Sequence, residues 1–382
     1  MSLTRNPSKS CFPEPVMVEI LSRLPVKSLL RFRCVCTHWR TLISSPFFVS
    51  LNLSCSISNH TRHSILVHDT CKYPPLSFVP FTFSPIQNLD SMLYKNYCFD
   101  QEVMYAGSIN GLLCLIGSTP DIISIWNPST RLFKTIPPGK YRGPSSVSCG
   151  FGWDPVANDY KVVRIGSKCE DGKSWAEVWS ANLESWREIN VDGNFIPLRR
   201  VSDVTLKGFA HWIVRDGNNM KPLVASFDMS TEILQLVPLP ELLLQMVPIT
   251  AILVGERGAF CMNWKETFAL AGLVMPEPKK IYQVWTMEND SVRKELWSKK
   301  FTFELDVEFY RLLCSVNGKF VLVRRGEVIL YDVETRETKT IGILKFNWLV
   351  LQADYYVESL VSVKGFTPIG EDAKKMELQE LN

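Results

Sequence analysis

Residues 12 to 49 read FPEPVMVEILSRLPVKSLLRFRCVCTHWRTLISSPFFV, and this stretch decides how the chain is divided. It alone keeps a helical beat of apolar residues. Val16, Val18, Ile20, Leu21 and Leu24 crowd one side of a first segment that opens after Pro13. Pro25 interrupts the segment, as proline does at a helix boundary. Leu29, Leu30, Phe32 and Val35 continue the pattern; Trp39, Leu42 and Ile43 carry it into a third segment, and Pro46 stops the run. The expectation is three short helices with more apolar side chains than so small a bundle buries by itself. Such a surplus marks a partner-binding surface. Cys34 and Cys36 have the wrong spacing for metal or redox work and fit the helical core.

The string Leu24-Pro25-Val26-Lys27-Ser28-Leu29-Leu30-Arg31-Phe32-Arg33-Cys34-Val35-Cys36, followed by Trp39-Arg40-Thr41-Leu42-Ile43 and Pro46-Phe47-Phe48, resembles an F-box of the large plant class. The resemblance implies docking onto a Skp-type adaptor, and through it onto the cullin and RING subunits of a ubiquitin ligase. From Glu14 to Ile43 the bases Arg23, Lys27, Arg31, Arg33 and Arg40 stand against Glu14 and Glu19, a net of +3. The family's adaptor is acidic, so this charge favours encounter and register. The alternative is a helical cap that packs on the rest of the chain.

The whole chain, 382 residues, is too long for one bundle and fits a small domain beside a large one or a repeat array. With 46% hydrophobic and 21% charged residues it has ample core; its net charge of +3 does not point to nucleic acid or an anionic membrane as the main partner. The eleven cysteines are scattered, odd in number and not preceded by a secretory signal, which points to a reducing cytoplasm or nucleus and to cysteines acting as small buried apolar residues. Glycosylation matches at Asn52 and Asn59 mean little without secretion. Val237 to Gly255, the longest candidate span, contains Pro238, Pro240, Glu241 and Pro248. It barely reaches the roughly 20 residues a membrane needs, and reads as a loop followed by a strand; Pro240 to Val247 is the one candidate in the β region for a long amphipathic helix. No membrane partner is expected.

After about Ser50 the period changes to short β-rich runs such as Ser64–His68, Gly111–Ile116, Tyr160–Ile165 and Lys319–Val323. Between them stand turn pairs: Asn110-Gly111, Asn127-Pro128, Asp171-Gly172, Asp192-Gly193, Asp216-Gly217 and Asn317-Gly318. Asn-Gly and Asp-Gly between apolar runs are hairpin signals. The region is all-β, and it repeats. Trp126-Asn-Pro-Ser-Thr-Arg131 is echoed by Phe227-Asp-Met-Ser-Thr-Glu232 and by Tyr331-Asp-Val-Glu-Thr-Arg336, with starts 101 and 104 residues apart. Each leads into a strand ending in Ile136-Pro137, Val237-Pro238 or Ile341-Gly342. Intermediate units carry Val178-Trp179 then Trp186, and Val284-Trp285 then Trp297. Halving the spacing gives a unit of about 50 residues, that of a kelch-type propeller blade. Units near 60–105, 107–155, 160–205, 206–250, 252–310 and 312–365 make about six blades, with the stretch from Tyr73 to Asp100 irregular. A two-sheet sandwich is the alternative, and it leaves the echoes unexplained.

Gly107-Ser-Ile-Asn-Gly-Leu-Leu-Cys, Trp126-Asn-Pro-Ser-Thr-Arg and Gly150-Phe-Gly-Trp-Asp-Pro…Asp159-Tyr-Lys-Val-Val are similar to the F-box-associated region of plant F-box proteins, read as a propeller. S-locus F-box proteins, which recognise pollination ribonucleases, belong to the same family, and these residues do not separate the chain from them or from their cousins. The expected organisation is an F-box over 11–50, a target-binding propeller over 60–365 and a flexible tail over 366–382.

Other constellations are weighed against plainer readings. Cys55, His60, His63, His68 and Cys71 lack the tight pairs of a metal site. Asp154, Asp159, Asp228 and Asp332 sit beside turns, where Asp bonds its own backbone. Trp126, Trp153, Trp179, Trp186, Trp212, Trp285 and Trp297 read as packing between blades, with one or two left over for a binding face. Arg199-Arg200, Lys279-Lys280, Lys299-Lys300 and Arg324-Arg325 read as solvated loop ends. No nucleophile elbow, zinc-protease helix or phosphate loop is present. The expectation is therefore a non-catalytic substrate receptor without cofactor or metal. Pro13, Ile20, Leu21, Leu24, Pro25, Leu29, Leu30, Val35 and Trp39 form or support its adaptor surface, and an unidentified target protein sits on the propeller. Alternatives are a non-degradative F-box scaffold and a propeller enzyme whose funnel gathers acids or histidines.

Overall fold

A computed structural model of the protein describes residues 13–368, except 60–61, 70–75, 81–86, 89–102, 118, 143–144, 169–171, 248–258, 276–278, 288–296, 306–310, 317, 325–326 and 344–349. Four helices come first: α1 (Glu14–Ser22), α2 (Val26–Phe32), α3 (Thr37–Ser44) and α4 (Pro46–Ser58). Pro13 and Pro25 precede α1 and α2 with φ fixed at −57°, and their carbonyls accept the first intrahelical bonds. Pro46 does not stop the run; it opens α4. A first helical position needs no N–H, and the Ser45 hydroxyl caps it by accepting from Phe48 N at 3.2 Å. The helical part thus gains a fourth member. Leu21, Val26, Leu29, Ile43 and Phe48 form its core, joined by Leu360 from the far end of the chain. Buried Asn52 ties α4 to the α1–α2 turn, donating to Ser22 O at 2.8 Å.

The described strands form six antiparallel sheets. The first holds β1 (His63–Asp69), β2 (Leu76–Pro80) and β3 (Gln87–Asn88). The second holds β4 (Met104–Ile109), β5 (Leu112–Ile116), β6 (Ile123–Asn127) and β7 (Leu132–Ile136). The third is β8 (Ser145–Asp154), β9 (Asp159–Lys168), β10 (Ser174–Ser180) and β11 (Ser185–Ile189). The fourth is β12 (Phe195–Pro197), β13 (Val204–Leu206), β14 (Phe209–Asp216), β15 (Pro222–Asp228) and β16 (Leu234–Pro238). After α5 (Glu241–Met246) come β17 (Ala259–Trp264), β18 (Thr267–Met275), β19 (Lys280–Met287) and β20 (Trp297–Leu305). The sixth is β21 (Arg311–Val316), β22 (Lys319–Arg324), β23 (Glu327–Asp332) and β24 (Thr338–Ile343).

Two last strands close the ring. β25 (Val350–Val357) pairs with β1, His63 opposite Val357, and becomes the inner strand of the first sheet. β26 (Thr367–Pro368) adds to the outer edge of the second. The strands β25, β4, β8, β13, β17 and β21 then lie side by side around the axis. The described strands make a propeller of about six blades, and the sandwich alternative falls. The expected units are out of phase with it: β25, assigned to the last unit, belongs to the first blade, and the third blade begins at Ser145 rather than 160. The echoes are real but mark third-to-fourth-strand turns. Asp192-Gly193 is not a hairpin; it joins the third and fourth blades. Residues 198–203 interrupt the inner edge of the fourth blade and turn onto β8, where Cys149 N donates to Arg200 O and Ser202 N donates to Cys149 O. The Ser202 hydroxyl reaches Ala106 O of the second blade at 3.0 Å.

Candidate functional site

The helices carry a surface that their own core leaves uncovered. Ile20 is 52% exposed, Val16 44%, Val35 64% and Phe47 67%. Pro13 and Pro25 are also exposed, while Leu24, Leu30 and Trp39 are half-buried. Leu21 and Leu29 lie in the core and can only support this surface from beneath. The nine residues singled out from the sequence thus divide into seven that reach the surface and two that do not. Phe47 is a surface residue outside that set; its neighbour Phe48, fully buried, takes the core position one would give to either. Trp39 is fixed by its Nε1–H donating to Met17 Sδ at 3.0 Å and by an edge contact with Phe32, centroids 5.3 Å apart. Arg23, Lys27, Arg31 and Arg40 surround the apolar strip, exposed. Cys34 and Cys36 are exposed too, contrary to the expectation that they fill the core. The residues after Phe32 leave the helix for a turn, and a turn does not keep the helical period that placed them inside.

This helical unit is seated on the propeller. Val49 and Leu53 of α4 pack with Ile109, Val361 and Val363 onto the core between the second and third blades. Glu358 accepts the Val26 N–H at the head of α2; burial pushes its carboxyl up, against the pull of that bond, Arg62 and Lys27. His63 Nε2 lies 3.0 Å from both Ser56 O and Ile57 O in the last turn of α4, so Nε2 carries the proton, and Nδ1 meets the Tyr355 hydroxyl. Asn127 donates to Ser359 O at 3.0 Å and Val361 O at 2.7 Å, holding the strap that joins β25 to β26.

The other sequence candidates have structural duties. His63 has both ring nitrogens engaged, and among the described residues no three His, Cys, Asp or Glu gather as a metal site; His60, Cys71, Asp171 and Asn317 lie outside the described residues. Asp154, Asp228 and Asp332 each accept two backbone N–H groups of their own turn. Asp159 instead holds a neighbouring turn, accepting Ser180 Oγ at 2.6 Å and Asn182 N at 3.0 Å. Trp126, Trp179, Trp212 and Trp285 are buried, and Trp186 and Trp297 bond the preceding blade. Arg199 pairs with buried Asp203 and is not simply solvated, whereas Lys279, beside Glu304, stays exposed as expected of a solvated loop end. No single described helix is long and apolar enough to cross a membrane.

Comparison with known proteins meets this geometry from outside. The F-box domain family matches residues 10–51, and the F-box associated beta propeller domain matches residues 70–348, most of the chain. The chain belongs to the plant F-box proteins with an associated β-propeller. A putative F-box protein of Arabidopsis thaliana is 30% identical over 330 residues, covering 81% of this chain and 70% of its own. The Arabidopsis F-box protein CPR1 is 26% identical over 372 residues, 87% of this chain and 84% of its own. An Arabidopsis F-box/kelch-repeat protein is 24% identical over 310 residues, with 77% and 71% covered. In this F-box protein the exposed strip falls inside the F-box match, and the strap Glu358–Val363 lies beyond the propeller match.

Proposed function

We propose that this F-box protein is the substrate-recognition subunit of a ubiquitin ligase built from a Skp-type adaptor, a cullin and a RING subunit. One observation carries the reading: an apolar, positively rimmed strip on helices that are themselves seated on a propeller. The strip takes the adaptor, with Pro13, Ile20, Leu24, Pro25, Leu30, Val35 and Trp39 in contact and Leu21 and Leu29 beneath. The propeller holds a target protein. The work is done by proximity: joining both contacts in one body raises the target's effective concentration near the ubiquitin-loaded enzyme. No bond is made or broken by this chain, and the reading places it in the cytoplasm or nucleus.

The test is adaptor capture by the full chain and two variants. Replacing Leu24 and Pro25 together by alanine should abolish capture while the thermal unfolding of the propeller persists. Ile20→Asp, at an exposed position, should weaken capture at least tenfold without touching the core. Unchanged capture by both variants overturns the docking assignment.

A further inference from the structure

The face of the ring away from the helices carries a clamped linker. Val49 and Leu53 of α4 pack beside Ile109, and Asn110 Nδ2 donates to the Tyr160 hydroxyl at 3.1 Å, so the turn from Asp154 to Asp159 lies on the helical side. From that turn β8 reaches back ten residues to Ser145, about 30 Å of extended chain. Its far end is met by residues 137–142, which lead in from the second blade, and by Lys168, opposite Ser145. A buried ion pair holds this linker by its backbone. Lys140 N donates to Glu177 Oε2 at 3.0 Å; Arg164 donates to the Tyr141 carbonyl at 3.0 Å while it binds Glu177 at 2.6 Å and Asp121 at 2.8 Å. Gly139 lies so close that a Cβ there would collide with Glu177 Oε1 and Arg164 Nη1. The Arg164 and Glu177 side chains are each 1% exposed. A buried pair of charges adds little stability over apolar residues of the same volume, so what this pair secures is position.

The position secured is that of Tyr141. Its ring stacks on Trp175, centroids 4.3 Å apart and planes 19° apart, and the Arg164 guanidinium lies 5.6 Å from the Trp175 ring. Lys140 and Lys168 stand 5.6 and 5.4 Å from the Tyr141 centroid. The Tyr141 hydroxyl donates to Glu188 at 2.9 Å, and Lys140 pairs with the same carboxylate. Two cations are left over. Among the described residues Lys168 Nζ meets the Tyr141 ring but no hydrogen-bond or ion-pair partner, and Arg142 spends only its Nε, on Gly139 O at 3.5 Å. Both are exposed.

We infer that this shelf, Lys140 to Arg142 with Lys168, takes an acidic peptide segment of the target protein. Two carboxylates of the segment pair with Arg142 and Lys168, and an apolar side chain lies over the Tyr141 ring. The inference rests on the receptor reading above and adds to it the face and the chemistry of recognition. Surplus cations select carboxylates, and a tyrosine already stacked and hydrogen-bonded loses little freedom on binding, which is what makes an aromatic anchor effective. Nucleic acid fits less well, because it asks for a stripe of cations and Glu188 stands inside this shelf. A target held here lies across the ring from the adaptor-binding helices, so the two partners do not compete.

The experiment uses the full chain, alone and with a plant Skp-type adaptor that covers the helices, and a fluorescein-labelled glutamate-rich peptide with its glutamine counterpart. Carbodiimide coupling, read by peptide mass, should join the glutamate peptide to Lys168 in both samples. Binding to the adaptor complex, read by anisotropy, should weaken as salt rises and be absent for the glutamine peptide. Arg142→Glu with Lys168→Glu should weaken it about tenfold, two ion pairs being lost. Tyr141→Ala, which removes no cation, should weaken it about fivefold. Adaptor capture by these variants should match the parent, which shows that they fold. Unchanged binding in the double variant overturns the inference, as does coupling confined to helical lysines such as Lys27, or a single-stranded RNA of equal charge bound more tightly than the peptide. A chain that couples the peptide at Lys168 yet captures no adaptor upholds the shelf and overturns the receptor reading alone.

Discussion

Asn127, Asp228 and Asp332 occupy the same place in the second, fourth and sixth blades, yet only one is an amide. All three accept two backbone N–H groups of the following turn through Oδ1. Asn127 alone must also donate, because Ser359 O and Val361 O lie against it in a fully buried site. Aspartate there would set a charge against two carbonyls. Asn127→Asp is therefore expected to cost about 3 kcal/mol, a lost pair of donors and a buried acceptor clash, whereas Asp228→Asn should stay within about 0.5 kcal/mol; urea midpoints decide between them. Asp154 gives a pH-dependent counterpart. Burial opposes its charge, but Lys161 at 2.7 Å, the Ala157 and Val156 amides and the Ser230 hydroxyl overcome that and hold the carboxyl at about 2, below its ordinary 3.8. A depressed carboxyl contributes stability above its unfolded value and loses it as the pH falls through the folded one. The stability gap between the parent and Asp154→Asn should accordingly shrink by ~2 kcal/mol from pH 5 to pH 2. A gap that does not change with pH means that the carboxylate is not held low.

At the scale of elements, one turn recurs in the blades. Arg131, Glu184, Glu232 and Arg336 sit at φ of 58°, 55°, 59° and 61°, each N–H bonded to the carbonyl four residues before, at 2.8 to 2.9 Å. This turn is what the aromatic-polar echoes in the sequence record, and it was legible because every residue that makes it is local. The tryptophans were legible for a related reason. Trp186 heads β11 and donates to Pro137 O at 2.6 Å; Trp297 heads β20 and donates to Pro238 O at 2.8 Å. The Ile-Pro and Val-Pro strand ends are thus acceptors for the next blade's indole. Trp186→Phe and Trp297→Phe should each cost about 1 kcal/mol, because the bond is lost while the ring remains and water can reach the freed carbonyl. A cost near zero for both means that blades are joined by burial alone. Ion pairs also join blades, Lys207 with Glu266 across the fourth–fifth seam and Lys265 with Glu334 across the fifth–sixth, but these are exposed and set register more than stability. Lys161, buried between Asp154 and Glu232, and Arg164, buried between Glu177 and Asp121, are exceptions. What the residues did not disclose locally was Pro46 as a helix start and the turn that exposes Cys34 and Cys36.

At the scale of the molecule, closure and docking share one segment. β25 completes the first blade, and the strap after it gives Leu360 to the helical core, Glu358 to α2 and Ser359 to the β4–β5 turn, where its hydroxyl donates to Asn110 O at 2.6 Å. Gly111 is obligatory beneath it: φ is +80°, and a Cβ there would lie 2.3 Å from Ser359 Oγ. The phase of the blades was hidden from the sequence because β25 finds β1 across almost the whole chain, and a long-range pairing leaves no mark in a local pattern. A chain ending at Ile343 lacks both the strand and the strap. Its first blade exposes the open edge of β1 and its helices lose their seat, so the ring should lose cooperative unfolding and the chain should lose adaptor capture together. A chain ending at Pro368 keeps every described contact and should unfold within about 0.5 kcal/mol of the parent. Urea unfolding followed by tryptophan fluorescence, with adaptor capture on the same samples, separates the cases. If the shorter chain still unfolds in one sharp transition, closure by β25 is not what holds the ring. If it unfolds broadly yet still captures the adaptor, the helices stand on their own and the strap is not their seat.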